Sequence, residues 1–234
     1  MKLFSFIPNT FTLLNLFFGC IAVVHGIYGD LKSLAFFVVL GLICDFFDGF
    51  FARLFKVDSK LGIQLDSLSD LVTFGMTSSI VMLNLIGNSS FVLNNSSHSL
   101  ISLTPYLAFI ITLASSYRLA KFNINSINTE FVGLPTPANA ILIVFIPVFF
   151  EQINKLHYLE NIFFLISIII ISSYLLVCDL KMFSLKLKNL KFKENRLVFV
   201  FIALSIVLFL TFKMAAFPLT ILLYIFINLF RIKI

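Results

Sequence analysis

The sequence predicts an all-α, polytopic membrane protein, and three observations carry that prediction. Of its 234 residues, 60% are hydrophobic and only 12% charged, where a soluble domain holds about 45–50% apolar and about 25% charged residues. Mean hydropathy is +1.06. The apolar residues run in stretches near the roughly 20 residues that a helix needs to cross a bilayer. So little charge cannot cover a water-soluble globule, which excludes a secreted disulfide scaffold, a disordered chain and an ordinary soluble enzyme. Cys20, Cys44 and Cys178 fall in apolar stretches without CxxC spacing and are expected to be small buried hydrophobes. The net charge of +6 would point to nucleic acid in a soluble protein. In this composition it is first a membrane-orientation signal, and no nucleic-acid partner is expected.

About eight spans follow in order. The first, about 10–28, comes after Lys2 and carries Asn9, Thr12 and Asn15. No small-x-small cleavage site follows it, so it is expected to be retained. The second, 33–55, and the third, 62–87, are joined by the short connector Leu54–Leu61, which makes them antiparallel neighbours. A polar loop at 88–99 lacks Lys and Arg. The fourth span, 100–121, ends on Arg118 and Lys121. The fifth, 135–152, starts at Pro135 and Pro137, residues tolerated in a first helical turn. After the sixth, 159–178, the run 181–196 places six basic residues among Leu and Phe, an orientation anchor that also attracts anionic headgroups. The seventh, 196–212, and the eighth, 214–231, are parted only by Lys213. Residues 1–234 are read as a single integral membrane domain, with helices at 159–234 serving as scaffold and lipid contact.

Placing the N-terminus inside puts 14 of the 17 Lys and Arg residues on the inner face and only Lys32, Lys155 and Lys213 outside. That asymmetry predicts both termini on the cytoplasmic side of the cell membrane.

The acids are few and clustered. Five of 11, Asp45, Asp48, Asp58, Asp66 and Asp70, lie within 26 residues, and all but Asp58 interrupt apolar helices. An acid at a helix centre opposes insertion by about 2.5–3.5 kcal/mol, so four of them need a partner. Asp45 and Asp48, three apart, share one helix face; Asp66 and Asp70, four apart, share a face of the next helix. Gly49 and Ala52 leave that face open to a bulky ligand, and Arg53 can reach it with a phosphate-matching fork. Four carboxylates converging at the cytoplasmic face suit Mg²⁺ or Mn²⁺ rather than zinc, and two such ions commonly clamp a diphosphate. The competing structural reading pairs the acids with Arg53, Lys56 and Lys60. An ion transporter would instead spread its acids across the bilayer, and these all face one side.

The run Asp45-Phe-Phe-Asp48-Gly49-Phe-Phe-Ala52-Arg53, then eight residues, then Gly62-Ile-Gln-Leu-Asp66-Ser-Leu-Ser-Asp70 resembles the signature of the CDP-alcohol phosphotransferases at every fixed position. The segments Ile7–Asn15, Arg118–Asn123 and Phe131–Ala138 resemble the serine-using branch of that family. The resemblance implies the family's membrane fold and transfer of a phosphatidyl group from CDP-diacylglycerol to L-serine, with release of CMP. The same family offers glycerol-3-phosphate, inositol phosphate or choline as other acceptors. It further implies that Asp45, Asp48, Asp66 and Asp70 hold two Mg²⁺ or Mn²⁺ ions, and that Asp70 is the general base. By the same likeness Asn9, Thr12, Gly49, Arg53 and Ser59 contact the CDP group, and the chain forms a homodimer among membrane lipids. Arg118, Lys121 and Asn123, at the cytoplasmic end of the fourth span, are candidates for serine, whose carboxylate a cation can pair.

Overall fold

The structure, a computed structural model, describes residues 6–57, 59–95, 99–124, 131–182 and 196–229. Asp58, residues 96–98 of the polar loop and most of the basic run at 181–196 lie outside the described residues or their described side chains.

Three long helices form the heart of the molecule. Helix α1 (Phe6–Ile27) turns at Gly29, whose φ is 78°, into α2 (Leu31–Phe55), capped by Asp30, which accepts from the Ser33 backbone N–H. The left-handed Lys56 ends α2, and Ser59 caps α3 by accepting from the Gly62 N–H at 2.8 Å. Helix α3 spans Lys60–Gly87 without a break. It is α-helical over Lys60–Asp70, π-helical over Leu71–Met76 and α-helical again over Thr77–Gly87. The wide turn begins directly after Asp70, and such π segments gather at functional sites.

The remaining elements wrap this core. A short α4 (Ser90–Asn94) and a 3₁₀ segment (Ile101–Phe109) containing Pro105 lead into α5 (Ile110–Ile124). The fourth expected span therefore begins as a tight 3₁₀ turn rather than a uniform α-helix, because proline removes a backbone donor. Helices α6 (Thr136–Val144) and α7 (Ile146–Gln152) split the fifth span at Phe145, just before Pro147. Helix α8 (Ile162–Val177) is capped by Asn161. Helices α9 (Arg196–Phe212) and α10 (Ala216–Leu229) form a hairpin over a one-turn 3₁₀ link. Two-residue strands, β1 (Phe131–Val132) and β2 (Lys181–Met182), pair antiparallel. The all-α expectation stands with this one small addition.

Each expected apolar segment coincides with helix. Four described stretches are long and apolar enough to cross a membrane by themselves: α1, α2, α3 and Leu197–Leu229. Thr136–Gln152 and Ile162–Val177 are apolar but shorter.

Close approach of α1, α2 and α3 depends on glycine. A Cβ at Gly41 of α2 would lie 2.5 Å from Thr73 Cγ2 and 2.9 Å from Asn15 Oδ1. Gly19 of α1 meets the same Thr73. Small residues let backbones close up in lipid, where water supplies no driving force between helices. The main core joins these three helices to α5, α6 and α8, and a second, smaller core holds Leu134, Met182, Phe201 and Tyr224 together. Of the cysteines expected to be buried, Cys44 is; Cys178 is half-buried and Cys20 is exposed. Cys20 corrects the expectation, because an apolar stretch in a membrane helix also has a face turned to lipid, and sequence alone does not say which.

The two ends of the bundle differ. At one, Lys32 pairs with Glu151 at 2.9 Å and Gln152 accepts from the Ala215 N–H. At the other, Lys121 pairs with Asp179 at 2.7 Å and Asn123 donates to Ser67. The clustered aspartates belong to the second end.

Candidate active site

Four acids on two helices reach one another because α2 and α3 run antiparallel through a short connector. One oxygen from each of Asp45, Asp48 and Asp66 lies within 4.8 Å of the other two. Asp70, one turn beyond Asp66, comes into side-chain contact with Asp45. Asp48 and Asp70 are buried.

Helix α1 braces this cluster with polar groups. Thr12 donates its hydroxyl to Asp48 Oδ2 at 2.8 Å, and Asn15 Nδ2 donates to Asp70 Oδ1 at 3.3 Å. Ser69 and Thr73 of α3 donate back to the carbonyls of Thr12 and Asn15. Residues three to four apart share a helix face, so Thr12 and Asn15 meet the acids while Ser69 and Thr73 fix the register of α3 against α1. Hydrogen bonds of this kind are conspicuous inside an apolar bundle, where an unpaired polar group is costly.

Among the described residues, no Lys, Arg or His forms an ion pair with these four acids. Arg53, Lys56 and Lys60 are exposed, so the ion-network alternative is not what forms. Carboxylates about 4–5 Å apart repel by roughly 3–4 kcal/mol per pair at an effective dielectric near 20. An all-oxygen donor set at this spacing fits a hard divalent cation, which would relieve that repulsion.

A cavity of about 150 Å³ opens beside the acids. Asp48 and Asp66 line it together with Asn9, Thr12, Gly49 and Ser59, four of the residues expected to meet the CDP group, and with apolar residues such as Pro8, Ala52, Val57 and Ile63. Gly62 faces it too, where a Cβ would lie 3.2 Å from Asn9 Oδ1. Side chains at Gly49 or Gly62 would take up this space. Arg53 does not line the cavity, but its Nη1 lies 3.9 Å from where a Cβ on Gly49 would sit. The Ser59 hydroxyl accepts the Gly62 capping bond while also lining the cavity.

The three serine candidates do not converge. Arg118 is half-buried and donates from Nη1 to Thr136 Oγ1 at 2.9 Å. Lys121 is taken by Asp179, which is 83% exposed in its side chain, and Asn123 by Ser67, next to Asp66. Only Arg118 lies within electrostatic reach of Asp70. In this structure Lys121 sits in a surface ion pair. Helical spacing alone could not show this, since Asp179 lies 58 residues away in sequence.

Sequence reasoning did not single out Asn15, Ser69, Thr73 or Thr136 for the site. A usable cue was present for three of them: Asn15 sits three residues after Thr12, and Ser69 and Thr73 are four apart on the helix that carries Asp66 and Asp70. Thr136 had no spacing cue, only its place in the segment Phe131–Ala138.

A carboxylate cluster braced by a third helix, beside a cleft kept open by glycine, fits the class of membrane-embedded enzymes that carry out metal-assisted phosphoryl transfer. The chain belongs to the CDP-alcohol phosphatidyltransferase family, whose profile matches residues 5–173. Members of that family are metal-dependent, and Asp45, Asp48 and Asp66 can bind a metal. The chain is 30% identical over 207 residues to the CDP-diacylglycerol–serine O-phosphatidyltransferase of Helicobacter pylori, covering 86% of this chain and 81% of that one. The enzyme of the same name from Bacillus subtilis is 31% identical over 145 residues, 60% of this chain and 74% of its own. The archaetidylserine synthase of Methanothermobacter thermautotrophicus is 27% identical over 179 residues, 74% and 70%.

Proposed function

We propose that this protein transfers the phosphatidyl group of CDP-diacylglycerol to the hydroxyl of L-serine, forming phosphatidylserine and CMP. The observation that carries this reading is the group of three carboxylates within 4.8 Å beside the glycine-lined cavity, in a chain whose serine-transferring relatives align over most of its length. Asp45, Asp48 and Asp66, with Asp70 alongside, would hold two Mg²⁺ or Mn²⁺ ions. When bound, such ions neutralise the diphosphate and stabilise the charge that develops on it in the transition state.

The chain's own groups do the rest. Asn9, Thr12, Gly49 and Ser59 line the cavity for the CDP group, with Arg53 at its edge to meet the phosphates. Asp70, held by Asn15, accepts the proton of the serine hydroxyl. The serine oxygen bonds to the lipid-side phosphorus, the bond from that phosphorus to the CMP oxygen breaks, and CMP leaves with the electron pair. Arg118, within reach of Asp70, meets the serine carboxylate.

The same reading puts the whole chain in the cell membrane as one domain of eight spans. Both termini and the site face the cytoplasm, which the distribution of Lys and Arg supports. The family resemblance supports a homodimer.

The test is CMP release by the purified protein supplied with CDP-diacylglycerol, Mg²⁺ or Mn²⁺, and each acceptor in turn. Release with L-serine and none with glycerol-3-phosphate, inositol phosphate or choline is expected. Release with one of those and none with serine overturns the reading. Asp70→Asn should slow turnover by about 10²–10⁴-fold, the usual contribution of a general base; normal turnover removes Asp70 from that role.

A further inference from the structure

The segment Phe131–Ala138 is the one sequence motif that the reaction above leaves without a task, and the structure shows it as a strap. Gly133 has a φ of 72°, and a Cβ there would lie 2.7 Å from the Leu176 carbonyl oxygen and 3.1 Å from that of Cys178. Its N–H donates to the Leu180 carbonyl at 2.9 Å, and the Leu134 N–H donates to that of Leu175 at 2.8 Å. The β1–β2 pair ties down the strap's other side. Leu134 is fully buried in the smaller core, with Tyr224 of α10. Only a residue without a side chain passes this close to three carbonyls at positive φ. The strap is thus tied to the end of α8 and packed against the C-terminal hairpin.

What it delivers is Thr136. That side chain is 1% exposed, and its hydroxyl oxygen accepts from Arg118 Nη1 at 2.9 Å. Among the described residues, Arg118 Nε is buried with no hydrogen-bond partner. The groups in electrostatic reach of the guanidinium are Asp70 on α3 and Tyr224 on α10, and no ion pair joins Asp70 to it among the described residues. A guanidinium is a planar fork suited to a carboxylate. Pinned on one edge and unfilled on another, it is preorganised for an anion beside the base.

We infer that Thr136 is a positioning residue for acceptor selection: the strap at 131–136 uses its hydroxyl to aim the Arg118 guanidinium so that its unfilled edge receives the carboxylate of the amino-acid acceptor. The inference rests on serine being the acceptor, and it gives the strap and the hairpin beyond the family-matched region a part in specificity.

The test uses the full chain in lipid nanodiscs with CDP-diacylglycerol and Mg²⁺, comparing Thr136→Val, Thr136→Ala and Thr136→Ser. L-serine is set against serinol, its analogue with a hydroxymethyl group in place of the carboxylate. Thr136→Val and Thr136→Ala should raise the KM for L-serine about tenfold, the order expected on losing one hydrogen bond to a charged group. The KM for CDP-diacylglycerol should stay within about twofold, the preference for L-serine over serinol should fall by about the same tenfold, and Thr136→Ser should restore both. An unchanged serine KM, an equal loss toward both acceptors, or a parallel loss toward CDP-diacylglycerol overturns the inference while leaving the serine reaction standing. No serine-dependent CMP release from the unaltered protein overturns the reaction itself, and the inference with it.

Discussion

Helix α3 and the C-terminal hairpin are both apolar enough to span a bilayer, yet they are built on opposite plans. Of the most apolar stretch of α3, 61% is buried; of the hairpin's, 11%. Helix α3 is threaded with Asp66, Ser69, Asp70 and Thr73, each committed to a partner on another helix or to the acid cluster. The hairpin turns Ile206, Val207 and Leu210 outward, and its hydroxyl at Thr211 folds back on its own backbone. In lipid, an apolar face gains little by meeting another apolar face, so packing is driven by small residues and polar bonds. Hydrophobicity therefore marks where the chain sits, and polar interruptions mark where it works.

The largest effect should come from the acid cluster. Asp66→Ala removes an oxygen donor from the tightest part of the site and should lower CMP release by at least about 10²–10³-fold, as for other groups that stabilise transition-state charge. Loss of Mn²⁺ binding, read by electron paramagnetic resonance, should accompany it. Activity near that of the unaltered protein would remove the cluster from the chemistry and erase the distinction between the two regions.

Added bulk should sharpen the same distinction. Gly41→Leu forces a side chain into Thr73 and against Asn15, which holds Asp70. Overpacking of this kind destabilises by about 1–3 kcal/mol, which is several degrees in the melting temperature of the detergent-solubilised protein, with activity falling alongside. Leu210→Phe, at a position 79% exposed, should stay within about 0.5 kcal/mol. Equal shifts from the two would show the hairpin to be packed as tightly as the core.

The smallest effect belongs to the cap between α1 and α2. The Ser33 hydrogen bonds hold the Asp30 carboxyl below the usual carboxylate range, and His25 adds a weaker attraction. A lowered folded-state value means that the cap's contribution is complete above the unfolded value and is lost as pH falls through the folded one. Melting followed from pH 7 downward should show this contribution unchanged until below about pH 4. Asp30→Asn, whose amide oxygen still accepts the capping bond, should flatten that acid limb. An unaltered limb would exclude Asp30 as its source.

Much of the site was legible because its determinants are local. Asp45 and Asp48, or Asp66 and Asp70, are within one turn of each other, so helical geometry puts each pair on a face before any tertiary contact forms. The short connector then leaves one way to bring the faces together. Gly49 was legible for the same reason. The Lys121–Asp179 pair was not legible because its two residues are remote in sequence, and a long flexible lysine pairs with whichever charge is near in space. Cys20 was misplaced because apolar character does not separate a lipid-facing side from a protein-facing one. The 3₁₀ start at Pro105 and the split at Phe145 follow from prolines visible in the sequence, although their effect on span regularity was not drawn from it.

By itself the sequence determined that this chain lives in a membrane, that it is helical, and that four carboxylates meet on two adjacent helices. Those properties follow from composition and from a 3.6-residue period. Tertiary structure alone decided that Thr12 and Asn15 brace the acids, that Arg118 is held by Thr136, and that Lys121 is drawn away. Each of these joins residues from different helices, and which face of a helix meets which neighbour depends on the packing of the whole bundle.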